Sequence, residues 1–452
     1  MCNGALSIEL TNNHPNMRII HMKVALILGQ WVSEIKDDTR RPVYCALIKL
    51  LQEKDLCGRL AASRSLYFHI EDANFSEQDF SDLLPICWKS CFKLVEEVQE
   101  FDSKVQVLNT ISGLVAHITE VIPYANKLVQ FLQKAWEESY GESLLQIQIL
   151  TALKNFVAAL GYQSPICYNL LMPILQSVLN ANSPDELLED SLQLAASIIE
   201  GYIVLGEFEF FNMHAPTLAR VLDLVVGNVN DRGLLSILPL VDVIVQCFPA
   251  QVPQFFSTII QKLIAICLSV GNDRDPCNTS LKTSAASILA RILVTDTNYL
   301  AHLGSESSLL AHLQKAGFSN EENILFCLVD EWLDKVDNVK SMQRKTFALA
   351  LSIILTLRMP QVLDKLDQIL SVCTSVILGG SNGVALTEEE SSKEFRKRQM
   401  KLSDPINQIS LENSLRDNLQ TCAALHGELF NTAMSKMHPA VFSQLKQALH
   451  MT

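Results

Sequence analysis

Residues 29–66 read GQWVSEIKDDTRRPVYCALIKLLQEKDLCGRLAASRSL, and the spacing of their apolar side chains decides the fold class. Three helices in quick succession are expected. The first begins upstream and carries Ile20, Val24, Ile27, Leu28, Trp31 and Ile35, an i, i+3/i+4 spacing that puts them on one stripe. Lys36 and two aspartates end it. Asp38 or Thr39 is placed to cap the next helix, with Pro42 in its first turn, where a missing N–H has no intrahelical partner to lose. Val43, Leu47, Leu50 and Leu51 form its buried face. After Asp55 a third segment sets Arg59, Ala62, Leu66 and Ile70 at helical spacing. Helices with such narrow stripes cannot bury them alone and must stack on neighbours.

An Asp followed by a basic residue, small residues and a Leu is the pattern of a HEAT repeat, so the expected fold is all-α, an α-α superhelix of HEAT/armadillo-like repeats. Outward from the opening stretch, a landmark recurs. Leu84-Pro85, Ile122-Pro123, Met172-Pro173, Ala215-Pro216 and Val252-Pro253 each open an apolar helical run. Basic or polar residues also precede small-residue runs, as at Leu281 to Ala286 and Arg344 to Ala348. One junction breaks the rhythm: Leu192 to Ile199, LQLAASII, runs helix into helix where a loop and a further helix are due. Residues 1–378 are read as the repeat solenoid, 379–403 as a charged linker and 404–452 as C-terminal capping helices, with Leu411, Leu415, Leu419 and Cys422 on one face and Phe442, Leu445 and Leu449 on another.

Composition agrees with a long helical array. Hydrophobic residues make up 48% of 452 and charged residues 19%, and Gly (17) and Pro (15) are sparse. A net charge of −13 argues against direct nucleic-acid binding, which needs a basic surface, and favours basic protein partners. Twelve cysteines are scattered singly, as at Cys45, Cys167, Cys247 and Cys327, the usage of reduced thiols in helical faces. The start, MCNGALSIEL, lacks a basic region followed by a sustained apolar core, so no signal peptide is read there. The apolar runs Phe347 to Leu357 and Gly233 to Cys247 are too short or carry Asp242 and Pro239, and no membrane insertion is expected.

The sharpest enzyme-like string is Gly379-Gly380-Ser381-Asn382-Gly383, followed by Asp404 or Asp417 and then His426, the order of a hydrolase. A nucleophile elbow needs a strand before the Ser. Leu363, Leu366, Leu370, Cys373 and Ile377 have helical spacing instead, so a linker is read. Cys87 with Cys91, and Cys422 with His426, each put two metal-ligand types on one helical turn, but zinc takes more and no second pair is evident. Arg396-Lys397-Arg398 reads as a solvated basic face. No phosphate-cradling or dinucleotide loop is found, no catalytic, metal or cofactor site is assigned, and the chain is expected not to be an enzyme.

Four stretches carry a family resemblance: residues 29–66, HIEDANF at His69 to Phe75, VGNVNDRGLLSILP at Val226 to Pro239, and KLSDPINQISLENSLRDNLQTC at Lys401 to Cys422. With them the chain resembles the importin-β (karyopherin-β) superfamily, most closely its importin-eleven-like branch. The resemblance implies a nuclear transport receptor carrying protein cargo into the nucleus and shuttling between nucleus and cytoplasm through the nuclear envelope. Its implied partners are basic protein cargo on the concave side, Phe-Gly nucleoporins on the outer side, and the small GTPase Ran, which releases cargo. Family members are longer, and the match falls on their C-terminal portion. An N-terminally truncated form is therefore expected, in which Ile8, Leu10, Ile19 and Ile20 form an exposed edge. The family's main Ran-binding repeats are N-terminal, and relatives carry extra sequence at the Leu192 to Ala196 junction. The family motifs are structural, so no partner-binding residue is assigned. The competing reading is an α-solenoid scaffold for protein-complex assembly, without Ran or nucleoporins.

Each buried Leu, Ile or Phe contributes about 1.5–3 kcal/mol relative to exposure, so stability should be spread over neighbouring repeats. A Leu47→Asp substitution is expected to unzip its own repeats locally. Limited proteolysis should then cut within residues 1–75 first, and undiminished resistance there contradicts the stacked-repeat reading.

Overall fold

A computed structural model describes residues 14–118, 121–179, 187–269, 275–306, 309–310, 313–314, 323–379 and 392–450. Its regular structure among these residues is helical. Helices of eight residues or more are numbered in chain order. The first unit, Met1–Val178 with Ser183–Tyr202, contains α1 (Arg18–Gln30), α2 (Asp37–Leu51), α3 (Leu56–Ile70), α4 (Leu84–Glu97), α5 (Phe101–His117), α6 (Ala125–Glu138), α7 (Ser143–Leu160) and α8 (Tyr168–Leu179). Helix α9 (Leu187–Asn228) runs on across the division at Tyr202 and Ile203. The second unit, Leu179–Asn182 with Ile203–Thr452, contains α10 (Asp231–Cys247), α11 (Ser257–Leu268), α12 (Pro276–Thr295), α13 (Thr297–Gly304), α14 (Ile324–Lys335), α15 (Ser341–Ile354), α16 (Leu366–Gly379), α17 (Ser392–Ser403), α18 (Leu411–His426), α19 (Glu428–Ser435) and α20 (Pro439–Ala448).

Each unit is a two-layer stack. In the first, α1, α3, α5 and α7 pack in sequence as one layer, while α2 and α4 pack in the other. In the second, α10, α12, α15 and α18 form the first kind of layer, and α11, α14, α16 and α20 the second. Apart from the α16–α20 pair, helices of the first kind of layer pack more extensively on one another, and that layer is called the tight layer below.

Small residues make the tight layer possible, and their polar groups hold its register. An added Cβ on Gly29 of α1 would stand 2.6 Å from Ser65 Oγ and 2.9 Å from its Cα. Ser65 Oγ donates to the Ala25 carbonyl at 2.7 Å, and His69 Nε2 lies 3.0 Å from the Leu28 carbonyl. One repeat on, Ser63 and Thr110 share a hydroxyl–hydroxyl bond of 2.9 Å, and Gln106 donates to the Leu60 carbonyl. After a further repeat, Asn155 donates to Ser112 Oγ at 2.9 Å. In the second unit comparable bonds leave the tight layer: Trp332 Nε1 of α14 donates to the Ala286 carbonyl of α12 at 2.9 Å, and Ser257 of α11 pairs with Tyr299 of α13. The partners lie 40 to 47 residues apart in sequence, one repeat in each case. A buried hydroxyl without a partner costs about 1–3 kcal/mol, so these bonds penalise any slip of one helix along the next.

The stripe of α2 is as read, with Val43, Leu47, Leu50 and Leu51 each 2% exposed or less. So is that of α3, where Arg59, Ala62, Leu66 and Ile70 are buried. The stripe of α1 is not. Its buried residues are His21, Val24, Ala25, Leu28 and Gly29, while Ile20 and Trp31 are exposed, because close approach to α3 selects the narrow Ala25–Gly29 edge over the bulkier one. The α2 boundary also differs: the helix starts at Asp37 with Lys36 at the N-cap, and Pro42 sits inside it. Thr39 Oγ1 donates to the Lys36 carbonyl instead of capping.

Of the proline landmarks, Pro85, Pro123 and Pro253 open helical turns, but Pro173 lies within α8 and Pro216 within α9. A proline inside a helix forfeits one hydrogen bond without ending it when packing holds both sides. The Leu192 to Ile199 junction is continuous helix, part of the 42 residues of α9. Of the expected edge, Ile8 and Leu10 lie outside the described residues; Ile19 and Ile20 are exposed. Among the described residues one span, Ser143–Ser164, is long and apolar enough to cross a membrane by length and composition. Its Leu145, Ile149, Leu150, Leu153 and Phe156 are buried, with α5 as neighbour, as in a core helix.

Two outcomes follow from the α1–α3 contact. Gly29→Ala forces the two backbones apart and should destabilise the first unit by about 1–3 kcal/mol, the cost of overpacking, read as a lower urea midpoint; an unchanged midpoint refutes the close approach. Burial lowers the pKa of His69, with its bond to the Leu28 carbonyl opposing. The unfolded chain therefore binds the proton first, and stability present above about pH 6.5 should fall as pH drops through mild acid. His69→Gln should flatten that slope.

Candidate partner-binding surface

The strings that carry the family resemblance are fasteners between repeats. In HIEDANF, His69 bonds back to α1, Asp72 pairs with Arg40 at 3.0 Å and accepts from the Asn74 amide at 2.9 Å, and Phe75 packs against Tyr44 and Phe80. Bonds from Asn74 and Arg40 hold the Asp72 carboxyl below its ordinary range despite the opposing effect of burial. In VGNVNDRGLLSILP, Asn230 caps α10 by accepting from the Gly233 amide at 2.8 Å. Close beside it, Lys262 of α11 reaches the Asp223 carbonyl and carboxylate at 2.6 and 2.8 Å.

The third string, KLSDPINQ, builds the most developed polar site. Asp404 is 2% exposed although its nearest charged partners lie far away in sequence. Its Oδ2 accepts from Arg291 Nη1 of α12 at 2.8 Å and from Gln246 Nε2 of α10 at 3.2 Å. Its Oδ1 caps the turn Pro405–Gln408 through the Ile406 amide at 3.0 Å. Ile406 is fully buried, and Lys345 Nζ of α15 donates to the Asn407 carbonyl at 2.9 Å. The segment therefore crosses three consecutive helices of the tight layer. Asp242 of α10 stands 3.5 Å from Arg291 Nε; its side chain is partly exposed, yet Oδ1 is covered. Burial raises the pKa of Asp242, Arg291 opposes, and Asp404 adds to the rise. Burial lowers that of Lys345, with Asp404 opposing.

Two grooves open elsewhere, one in each unit. One of about 360 Å³ lies among α4, α5, α6 and α7, with Val95, Leu108, Phe131 and Leu145 on its walls and Lys104 and Lys127 at its rim. The other, about 600 Å³, runs between Pro360–Leu366 and α19, lined by Leu363, Leu429, Ala433 and Met437. Leu429 is 58% exposed.

The chemistry candidates separate. Ser381 lies outside the described residues; what precedes it is helix α16, ending at Gly379, where an elbow needs a strand. Asp404 is engaged with Arg291, and Asp417 is a surface residue of α18. Cys87 and Cys91 are buried, and their mutual bond, then burial, raises Cys87 well above a reactive thiol. Burial pushes Cys247 and Cys373 up to about 12 and Cys422 up to about 11. Among the described residues no three His, Cys, Asp or Glu side chains gather as metal ligands. Sequence reasoning missed the Asp404 site, because Arg291 lies 113 residues away and no local spacing announces the pair.

A family model described as "Importin-11-like, TPR repeats" matches residues 192–450. Importin-11 of Mus musculus is 24% identical over 503 aligned positions, covering 98% of this chain and 50% of that protein. Importin-11 of Homo sapiens is also 24% identical, with the same coverage. Importin beta-like protein kap113 of Schizosaccharomyces pombe is 22% identical over 96% of this chain and 49% of its own length. The chain thus spans about half the length of the curated relatives it matches. The 503 aligned positions exceed the 452 residues of this chain, so the relative carries insertions with respect to it. Among solved structures, an engineered protein superposes with TM-score 0.55 at 13% identity over 98% of both chains. Kap95p bound to RanGDP gives 0.54 at 11%, over 98% of this chain and 56% of that one. Importin beta crystallised in polyethylene glycol gives 0.52 at 9%, over 98% and 59%. These likenesses show the fold, a helical-repeat solenoid. The family match over more than half its length, with the importin relatives, places this chain in the importin-11-like family of the importin-β superfamily.

Proposed function

We propose that this chain serves in a nuclear transport receptor that carries protein cargo into the nucleus and shuttles between nucleus and cytoplasm by way of the nuclear envelope. The observation that carries the reading is the family match at residues 192–450, laid on a two-layer repeat array. The division into a solenoid to residue 378, a linker to 403 and capping helices from 404 belongs to the same proposal. In each unit the tight layer is the cargo-facing side, because helices on the inside of a curved stack approach more closely than those outside. A net charge of −13 makes basic protein cargo the complementary partner.

The groove between Pro360–Leu366 and α19 is offered to Phe-Gly nucleoporins, with Leu363, Leu429 and Met437 as apolar spots in a mixed lining. A Phe ring gains most where it covers exposed apolar side chains, and in this groove Leu429 is 58% exposed beside Leu363 and Met437. Ran is the partner whose binding would release cargo. No catalytic step is needed for any of this.

Retention of the chain on immobilised Phe-Gly repeats tests the reading. Leu429→Glu should lower retention severalfold while leaving the thermal midpoint unchanged, since Leu429 is already largely exposed. Wild-type chain that passes through the column unretained, and stays away from the nuclear envelope in cells, would replace the transport reading with that of a scaffold. A pull-down with Ran in its GTP form, comparing this chain with one extended at its N-terminus, assigns the Ran contact.

A further inference from the structure

At its C-terminal end the segment Ser392–Gln408 reaches several helices of one layer instead of one neighbour. Five basic residues, Lys393, Arg396, Lys397, Arg398 and Lys401, fall within nine positions of a chain whose net charge is −13. Along helix α17, which carries them, residues 395–403 are exposed or half-buried. Beside it opens a cavity of about 450 Å³, lined by Ile203, Phe208, Phe248, Arg396 and Met400, in which Phe208 remains 54% exposed. The burial lies instead in the next few residues, where Asp404 is 2% exposed and Ile406 fully buried. The segment is thus held at one end, by Asp404 on Arg291 and Gln246 and by Lys345 on the Asn407 carbonyl. Those three side chains belong to consecutive tight-layer helices, α10, α12 and α15.

We propose that Ser392–Gln408 is an intramolecular occupant of the tight-layer face of the second unit. The basic helix stands where a basic partner binds, and Asp404 is the latch that keeps it there. The inference rests on the assignment of that face to basic cargo. A tethered segment competes at an effective concentration of about millimolar, so even a weak contact in cis lowers the apparent affinity of a partner in trans. The latch is a charge pair in a dry site. Removing one partner there weakens the hold far more than changing an exposed lysine does.

The test measures binding of a fluorescent peptide with the chain's own sequence 392–403, SKEFRKRQMKLS, to the whole chain. Asp404→Asn keeps an N-cap residue for the turn Pro405–Gln408 but removes the charge that holds Arg291. It should bind the peptide about tenfold more tightly than wild type, equivalent to ~1.4 kcal/mol. Lys345→Gln, which loosens the same segment from α15 and leaves Asp404 intact, should give a smaller gain. In wild type, saturating peptide should speed amide hydrogen exchange across residues 396–408. Equal affinities in all three proteins, or exchange in 396–408 that saturating peptide leaves unchanged, overturn the latch alone. Peptide that binds none of them overturns the basic-partner reading on which it rests.

Discussion

The close approach of successive tight-layer helices constrains everything else in this molecule. Where α1 crosses α3, Gly29 leaves no room for a β-carbon above Ser65, so the contact is backbone to backbone. Two backbones that near exclude water, and every hydroxyl and imidazole caught between them must find a partner within the contact. Ser65 takes the Ala25 carbonyl, His69 the Leu28 carbonyl, and Ser63 takes Thr110. The run LAASRSL therefore does two tasks at once: its alanines and serines are small enough to admit the neighbour, and its serines are polar enough to fix where the neighbour stops.

Charges inside the array follow the same logic across longer gaps. Arg40 meets Asp72, Arg59 meets Glu97, and Arg291 meets Asp404, in each case with a buried cation and a partner from another element. A buried pair gains little over well-packed apolar residues, since desolvation offsets the attraction, but a misaligned one leaves a charge unpaired. Such pairs act mainly against wrong registers. In an array of similar helices this matters, because apolar stripes alone would accept a helix shifted by a turn.

The fold was legible from Gly29–Leu66 because helical periodicity is a local signal, and α2 and α3 buried the faces their spacing indicated. The face of α1 was misread by one edge. Hydrophobicity favoured Ile20 and Trp31, whereas the neighbour required the slimmer Ala25 and Gly29, and the sequence of α1 by itself cannot say how near α3 will come. Proline marked repeat starts only where packing did not carry a helix through it, as it did at Pro173 and Pro216. The site at Asp404 was illegible for a different reason. KLSDPINQ was recognisable as a family string, but the meaning of its aspartate depends on Arg291 and Gln246, 113 and 158 residues earlier. No period of the repeat relates those positions.

That long reach alters how the second unit should be understood. In an ideal solenoid each repeat touches its neighbours only, and stability is a sum of local terms. The crossing of α10, α12 and α15 by residues 404–407 adds a tie that skips along the layer, joined to it by one carboxylate, one isoleucine and one carbonyl. A tie of that kind couples three interfaces while covering part of the face they create. In the latch proposed above, loosening Asp404 from Arg291 and Gln246 changes both the cooperativity of the layer and the access to it.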